Sequence, residues 1–214
     1  PEPYRTRSWE EMKERLAECD MLVAPSHFYA GVMGERLGIP LAEIEVLPNG
    51  INLEGYGEPV EDGLQAIGYL ARMSREKGLG ALVDAYLLLQ EGGRFPQCRL
   101  RIAGSCTPGD EVFVKDQKEK IERAGLSEMV DWHPNLTREQ KTEFLRGLTV
   151  FSVPIQYSEA FGLYLIEAMA SGVPVVNPEG SAFEEIAAVT GGGQTVAPGD
   201  PSALARGWEE LLAN

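Results

Sequence analysis

The sequence is poor in the residues that build metal sites and disulfide frameworks. Its 214 residues include two histidines and three cysteines, and the cysteines, Cys19, Cys98 and Cys106, are odd in number and widely spaced. No CxxC pair and no Cys/His cluster occurs. These absences argue against a zinc site or a disulfide framework, and they predict a protein of a reducing compartment.

Long apolar runs and an excess of basic residues are also absent. No apolar run approaches the roughly 18–20 residues that span a bilayer, and no secretory signal is visible. The formal net charge is -14, from 33 acidic and 19 basic residues, which argues against a nucleic-acid partner because phosphate binding needs a basic face. Hydrophobic residues at 43% allow a substantial core. We therefore expect a globular, cytoplasmic protein.

Apolar segments alternate with helical patterns from about residue 50 to the C-terminus. Five apolar runs predict strands at 66–70, 100–103, 129–132, 150–153 and 173–176. Helical patterns are present at 79–90, 111–123, 138–145, 163–170, 182–189 and 201–212. Such alternation with continuously apolar strands is typical of a parallel sheet covered on both faces. The sequence therefore predicts an α/β fold with a doubly wound, Rossmann-like parallel sheet.

Residues 1–48 do not complete a second domain. The capping-box spacing at Ser8 predicts a helix that begins there and runs to about Glu18, followed by a short strand, a helix at 28–37 and a strand from Ile44. The chain begins with Pro1 rather than methionine, which is what an excised piece or a trimmed form of a protein would show. We interpret residues 1–48 as the end of one domain and residues 49–214 as a second.

Two of the predicted strand ends carry residues that suit an anionic ligand. Ligands of open α/β sheets bind beyond the carboxyl ends of the strands. Arg72 and Lys77 follow the strand at 66–70, and two cations on such a loop suit a diphosphate, although a solvated loop is an equal alternative. Gly104 follows the strand at 100–103 and would let a ligand approach the backbone, although small residues are also common in simple turns.

A third strand end carries two carboxylates eight residues apart. Glu159 lies on the loop after 150–153, and Glu167 lies in the second turn of the helix that follows. The start of this helix offers free N–H groups and a positive dipole end, which suit a phosphate. Carboxylates beside it can accept hydrogen bonds from hydroxyls, and a sugar nucleotide has hydroxyls on both sides of its diphosphate. Two solvent-facing charges remain the alternative interpretation of the pair alone.

Four segments resemble the GT4-type (group 1) retaining glycosyltransferases, which have the GT-B fold. The segment 159–176 resembles the family's E-x7-E signature and its usual continuation. The segment 68–78 is similar to its G-R-x-x-x-x-K-G loop, with Ala71 where the family commonly has Gly. Segments 47–51 and 196–201 resemble its interdomain linker and its late loop into the final helices. Each match is moderately specific, but four in the right order are hard to produce by chance.

The resemblance implies a division of the chain and a role for each charged residue. Residues 1–48 would be the remnant of the acceptor-side domain, and residues 49–214 the donor-binding domain. Arg72 and Lys77 would bind the diphosphate of a UDP-, GDP- or ADP-sugar donor. Glu167 would accept hydrogen bonds from the ribose, and Glu159 from the transferred sugar.

The resemblance also implies roles for backbone groups. Amides of Phe161, Gly162 and Leu163 would line the phosphate and the sugar. The nucleobase would lie against the end of the strand near His133, which would contact it through its backbone.

The family transfers a hexose with retention and without a metal or other cofactor. The acceptor site would belong to the missing N-terminal domain, which is the expected partner and the part that could meet a membrane. We therefore expect the isolated fragment to be inactive. A non-catalytic nucleotide-sugar-binding module is the alternative if these residues are the whole protein. A sugar-nucleotide epimerase is a third possibility, against which the Glu159/Glu167 signature argues. The base, the sugar, the acceptor and the oligomeric state are not predicted.

Overall fold

The first part of the chain forms a small parallel sheet with its own hydrophobic core. The computed structural model describes residues 2–60 and 63–213, with side chains from residue 7 onward. Its first elements are α1 (Glu2–Glu14), β1 (Leu22–Ala24), α2 (His27–Leu37) and β2 (Ile44–Val46). β1 pairs in parallel with β2. The buried core of this part comprises Ala24, Ala30, Met33, Leu37 and Ile44.

The first helix does not begin where the capping-box spacing predicts. α1 begins at Glu2 and ends at Glu14, so Ser8 lies inside it rather than at its start. Pro3 occupies the first turn, where the missing N–H costs no helical hydrogen bond. Residues 16–18 form a separate 3-10 turn. The prediction was wrong because a serine three residues before a glutamate also fits the interior of a helix.

The rest of the chain forms the predicted doubly wound sheet. Its elements are β3 (Ala66–Leu70), α3 (Leu79–Glu91), β4 (Arg99–Gly104), α4 (Glu111–Arg123), β5 (Val130–Pro134), α5 (Arg138–Arg146), β6 (Val150–Phe151), α6 (Leu163–Ala170), β7 (Val175–Pro178), α7 (Phe183–Thr190), β8 (Gly193–Val196) and α8 (Pro201–Leu212). β7 begins at Val175 rather than at 173, because Pro174 has no N–H to donate. Every helix in the described part of the chain is too short or too polar to cross a membrane.

The strand order creates one crevice at the carboxyl edge of this sheet. The strands are parallel in the order β5-β4-β3-β6-β7-β8, so the chain leaves β3 in one direction and β6 in the other. Such a switch point is where open α/β sheets bind ligands. The loop after β3 and the loop after β6 touch there: Gly78 has a φ of +77°, and a Cβ added to it would overlap the carbonyl oxygen of Pro154.

A network of buried hydrogen bonds fixes the start of the loop after β6. The fully buried Ser152 donates its hydroxyl to the carbonyl of Val176 over 2.5 Å and accepts a 2.7 Å hydrogen bond from Trp208 Nε1 of α8. Asn177 Oδ1 accepts a 2.8 Å bond from the backbone N–H of Val153. Because these groups are buried and each has a partner, the loop is tied to β7 and α8.

Candidate functional site

The switch point brings together two of the residues predicted for the site. Lys77, on the loop after β3, places its Nζ 2.6 Å from Glu159 Oε2, on the loop after β6. The two side chains are 22% and 19% exposed. The backbone N–H of Gln156 also donates to the carbonyl of Glu76 over 2.9 Å. The two loops are therefore joined by both side-chain and backbone contacts.

Three donors converge on one oxygen of Glu159. Besides Lys77, the hydroxyls of Tyr157 and Tyr164 each lie 3.3 Å from Oε2. The ammonium group also lies over both rings, 5.0 and 5.4 Å from their centroids. Among the residues that the structure describes, none donates a hydrogen bond to Oε1. One oxygen is thus held by the protein while the other is available to a ligand hydroxyl.

The environment keeps Lys77 charged and Tyr164 protonated. Burial on its own lowers the pKa of Lys77, but its hydrogen bonds with Glu159 and Tyr157 outweigh burial and raise the pKa. Burial, and next the negative charge of Glu159, raise the pKa of the Tyr164 hydroxyl. At neutral pH the cluster therefore contains an ammonium group and a neutral phenol donor.

The backbone amides of residues 161–163 lie at the start of α6. Gly162 precedes the helix with a φ of +86°, and no side chain caps this end. Within residues 2–60 and 63–213, no acceptor binds the N–H groups of Phe161, Gly162 or Leu163. Phe161 and Gly162 are buried, whereas the side chain of Leu163 is exposed. Free amides at a helix N-terminus form a ready site for an anion.

The structure places Arg72 on the same loop as Lys77 but pairs its guanidinium elsewhere. Nη2 lies 3.2 Å from Glu76 Oε2, and Nε lies 3.7 Å from Asp110 Oδ2 at the end of the loop after β4. Arg72 and Glu76 are largely exposed. Exposed ion pairs contribute about 0–1 kcal/mol, so a phosphate group could displace Glu76 at little cost.

Glu167 is held on the α5 side of the crevice. Its Oε1 lies 2.5 Å from Lys141 Nζ, and the two side chains are 15% and 26% exposed. Burial and then a hydrogen bond with Glu167 raise the pKa of Tyr56, which packs against the same pair. Burial alone lowers the pKa of Lys141, but the hydrogen bond with Glu167 outweighs it and raises the pKa. Glu167 is therefore not a solvent-facing charge.

Gly104 and His133 lie at the ends of the neighbouring strands. Gly104 has a φ of +138°, and a Cβ added there would overlap the carbonyl oxygen of Ala71. Its lack of a side chain thus lets the loop after β3 pack on β4. His133 lies in β5, with its ring edge-on to Phe144 at 5.6 Å. The predicted contacts of Gly104 and His133 with a ligand stay predictions.

The sequence did not predict Tyr56, Lys141, Tyr157 and Tyr164 as site residues. The two tyrosines flank Glu159 closely in the chain, so their position beside the motif was an available signal. Lys141 is one of several charged residues on α5, and no local pattern distinguishes it. Its role depends on the packing of α5 beside α6, which only the tertiary structure reveals.

A cavity of about 530 Å³ opens on the other side of the loop after β6. It is lined by the loop after β6, by residues that follow β7 and β8 and by the start of α8, and it shares Gln156 and Tyr157 with the site. None of the residues predicted for the site lines it. The candidate site is therefore the open crevice at the switch point rather than this cavity.

Comparisons with known proteins agree with this arrangement. The family model for glycosyl transferases group 1 matches residues 58–214. Mannosylfructose-phosphate synthase of Agrobacterium fabrum is 30% identical over 184 residues, which cover 78% of this chain and 40% of that protein. The chain thus spans about two fifths of this relative's length.

Two solved structures share the fold. Anabaena HepE, solved in complex with UDP and glucose, aligns with a TM-score of 0.77 at 20% identity, over 92% of this chain and 54% of that chain. The C-terminal domain of the group 1 glycosyl transferase LpcC from Francisella tularensis aligns with a TM-score of 0.68 at 22% identity, over 77% of this chain and 89% of that chain. The predicted fold, the C-terminal half of a GT-B architecture, is confirmed.

Proposed function

This chain belongs to the group 1 glycosyl transferases. We therefore propose that residues 49–214 hold a nucleoside-diphosphate sugar, which is the donor for transfer with retention. The observation that carries the proposal is the contact of Lys77 with Glu159 at the switch point. It sets a cation and a carboxylate beside the free N-terminus of α6. The complex of HepE with UDP and glucose supports a nucleotide ligand of this class.

The diphosphate would lie between the loop after β3 and the start of α6. Lys77 has three N–H donors, so it can keep its bond to Glu159 and still donate to phosphate oxygens. Arg72 offers a planar fork of donors once it leaves Glu76. Charge-assisted hydrogen bonds of this kind contribute about 1.5–3 kcal/mol each. The free amides of α6 add further donors without any rearrangement.

The two glutamates would bind the sugars that flank the diphosphate. Lys141 holds Oε1 of Glu167, and the carboxylate can accept hydrogen bonds from ribose hydroxyls. Lys77 and two tyrosines hold Oε2 of Glu159, so Oε1 can accept a hydroxyl of the transferred sugar. Carboxylates fixed in this way lose little conformational freedom when the ligand binds.

Transfer would rely on electrostatic stabilisation of the leaving group. The bond between the anomeric carbon and the diphosphate oxygen breaks, and its electron pair stays on the nucleoside diphosphate, where negative charge develops. The acceptor oxygen forms the new bond and gives its proton to water. Lys77, Arg72 and the α6 amides would stabilise that charge in a preorganised site. We propose that no metal is required, and we expect EDTA to leave nucleotide binding unchanged in calorimetry.

We propose that the acceptor side lies in residues beyond this chain and that residues 1–48 are its end. Parallel sheets are normally larger and covered on both faces, whereas β1 and β2 form a two-stranded one. The side chains of Met21 and Val23 are 63% and 39% exposed. In this proposal the two strands are the end of a domain whose other strands lie outside this chain, and the chain alone would bind the donor without completing transfer.

Alanine variants of the two glutamates should separate their roles. We expect Glu167→Ala to weaken binding of the nucleoside diphosphate about tenfold or more, because a charged hydrogen-bond partner of the ribose is lost. Glu159→Ala should mainly remove the extra affinity that the sugar adds to the nucleotide. Calorimetry with a nucleoside diphosphate and with its sugar conjugate measures both effects. Glu91→Ala, at the exposed end of α3, is the control. Equal and negligible effects of both variants would contradict the assignment.

A further inference from the structure

Ser26, in the N-terminal part of the chain, contacts the loop that carries Glu159. Its side chain is fully buried. As the N-cap of α2, its Oγ accepts a 3.0 Å hydrogen bond from the backbone N–H of Tyr29. The same hydroxyl donates its only proton to the carbonyl oxygen of Ala160 over 2.7 Å. Ser26 therefore joins the start of α2 to the residue after Glu159.

The bond from Ser26 determines which way the next amide points. In a trans peptide the C=O and N–H groups point in opposite directions. Because the Ala160 carbonyl faces Ser26, the Phe161 N–H faces away from it. The carbonyl of Glu159 is held in the same manner by the backbone N–H of Ala182, over 3.2 Å. Two donors from outside the loop thus fix two of its peptide planes.

Glu185 holds the helix that carries Ser26 in place. This α7 residue accepts hydrogen bonds from the backbone N–H groups of His27 and Phe28, at 3.0 Å each. These are the first amides of α2, where a carboxylate is also favoured by the helix dipole. The bond from Ser26 to the Glu159 loop and the two bonds to Glu185 of α7 therefore connect the start of α2 to the six-stranded part of the structure.

We propose that Ser26 is a positioning residue for the donor site, acting through the Ala160 carbonyl on the Phe161 amide at the start of α6. The proposal rests on the proposed function, since that amide matters only if it binds the diphosphate or the sugar. Glu185 holds the start of α2 against α7, and this contact keeps the Ser26 hydroxyl within reach of Ala160. The orientation of the amide at the start of α6 then depends on Ser26, a residue outside the donor-binding unit.

Two substitutions at Ser26 separate positioning from helix capping. Ser26→Ala and Ser26→Gly both remove the donor to Ala160, but glycine is tolerated at an N-cap far better than alanine. We expect calorimetry of the whole chain with UDP, GDP and ADP to show the same loss of affinity for both variants, about three- to tenfold, as for one lost hydrogen bond. Urea denaturation should show Ser26→Ala to be the less stable of the two.

Asp200→Ala is the matched control, because Asp200 is the N-cap of α8 and accepts from the backbone N–H groups of Ser202 and Ala203. It should lower stability without changing affinity. If the native chain binds a nucleotide and both Ser26 variants bind it equally well, the positioning role is wrong while the proposed function stands. The positioning role would also be overturned if the variants lost affinity in proportion to their loss of unfolding free energy. An equal loss of affinity in Asp200→Ala would overturn it as well. A native chain that binds none of the three nucleotides contradicts the proposed function and the positioning role together.

Discussion

Lys77→Ala is expected to weaken nucleoside diphosphate binding by about 10- to 150-fold, the equivalent of one or more charge-assisted hydrogen bonds. The fold brings Lys77 against the Glu159 loop, with its ammonium 2.6 Å from the carboxylate. Its two remaining N–H donors are the groups that would reach the phosphate oxygens. Removing them also leaves Glu159 without its cationic partner, so its negative charge would oppose an incoming diphosphate.

The matched control for this substitution is Lys115→Ala, which removes the same charge from an exposed position. Lys115 pairs with Glu119 on its own helix at 3.7 Å, with its side chain 76% exposed. Calorimetry of both variants should show the loss only in Lys77→Ala, while circular dichroism shows both to be folded. If Lys115→Ala loses as much affinity, long-range charge explains the effect and Lys77 does not contact the ligand.

Gly78→Ala should be the most destabilising single substitution that we predict, at about 3 kcal/mol or more of unfolding free energy. Gly78 adopts a φ of +77°, which disfavours any side chain, and an added Cβ would overlap the carbonyl oxygen of Pro154. That oxygen belongs to the backbone, so no rotamer change relieves the overlap. The loops after β3 and β6 must separate, and nucleotide binding should weaken together with stability.

Gly93→Ala isolates the contribution of the overlap. Gly93 has a similar φ of +68°, but an added Cβ would meet no atom within 4 Å. Its substitution should cost about 1–2 kcal/mol through backbone strain alone. Urea denaturation measures both changes. Equal costs at the two positions would show that the loops do not meet as closely as the structure places them.

The sheet could be predicted from the sequence because its signal is local. Most of the strands contain a short apolar run bounded by breakers, and the alternation of these runs with helical patterns predicts a parallel arrangement. The strand boundaries were less predictable where proline intervened, as at Pro174, and β8 was not among the predicted strands. The early start of α1 was also missed, because capping patterns are compatible with helix interiors.

The site could be predicted only in part, because the spacing of residues along the chain does not show how the helices pack against one another. The pairing of Lys77 with Glu159 follows from the switch point, since both residues follow central strands. The Lys141–Glu167 pair depends on how α5 packs beside α6, which no spacing in the chain encodes. Ser26 lies 134 residues before Ala160, and a lone serine before a helix predicts only a cap.

We propose that this chain binds a nucleoside diphosphate through the crevice between the loops after β3 and β6. Calorimetric titration of the native chain and of Lys77→Ala with UDP, GDP and ADP is the decisive test. We expect at least one nucleotide to bind the native chain and to bind Lys77→Ala about 10- to 150-fold more weakly. Absence of binding to the native chain at millimolar nucleotide, or equal binding to both proteins, would contradict it.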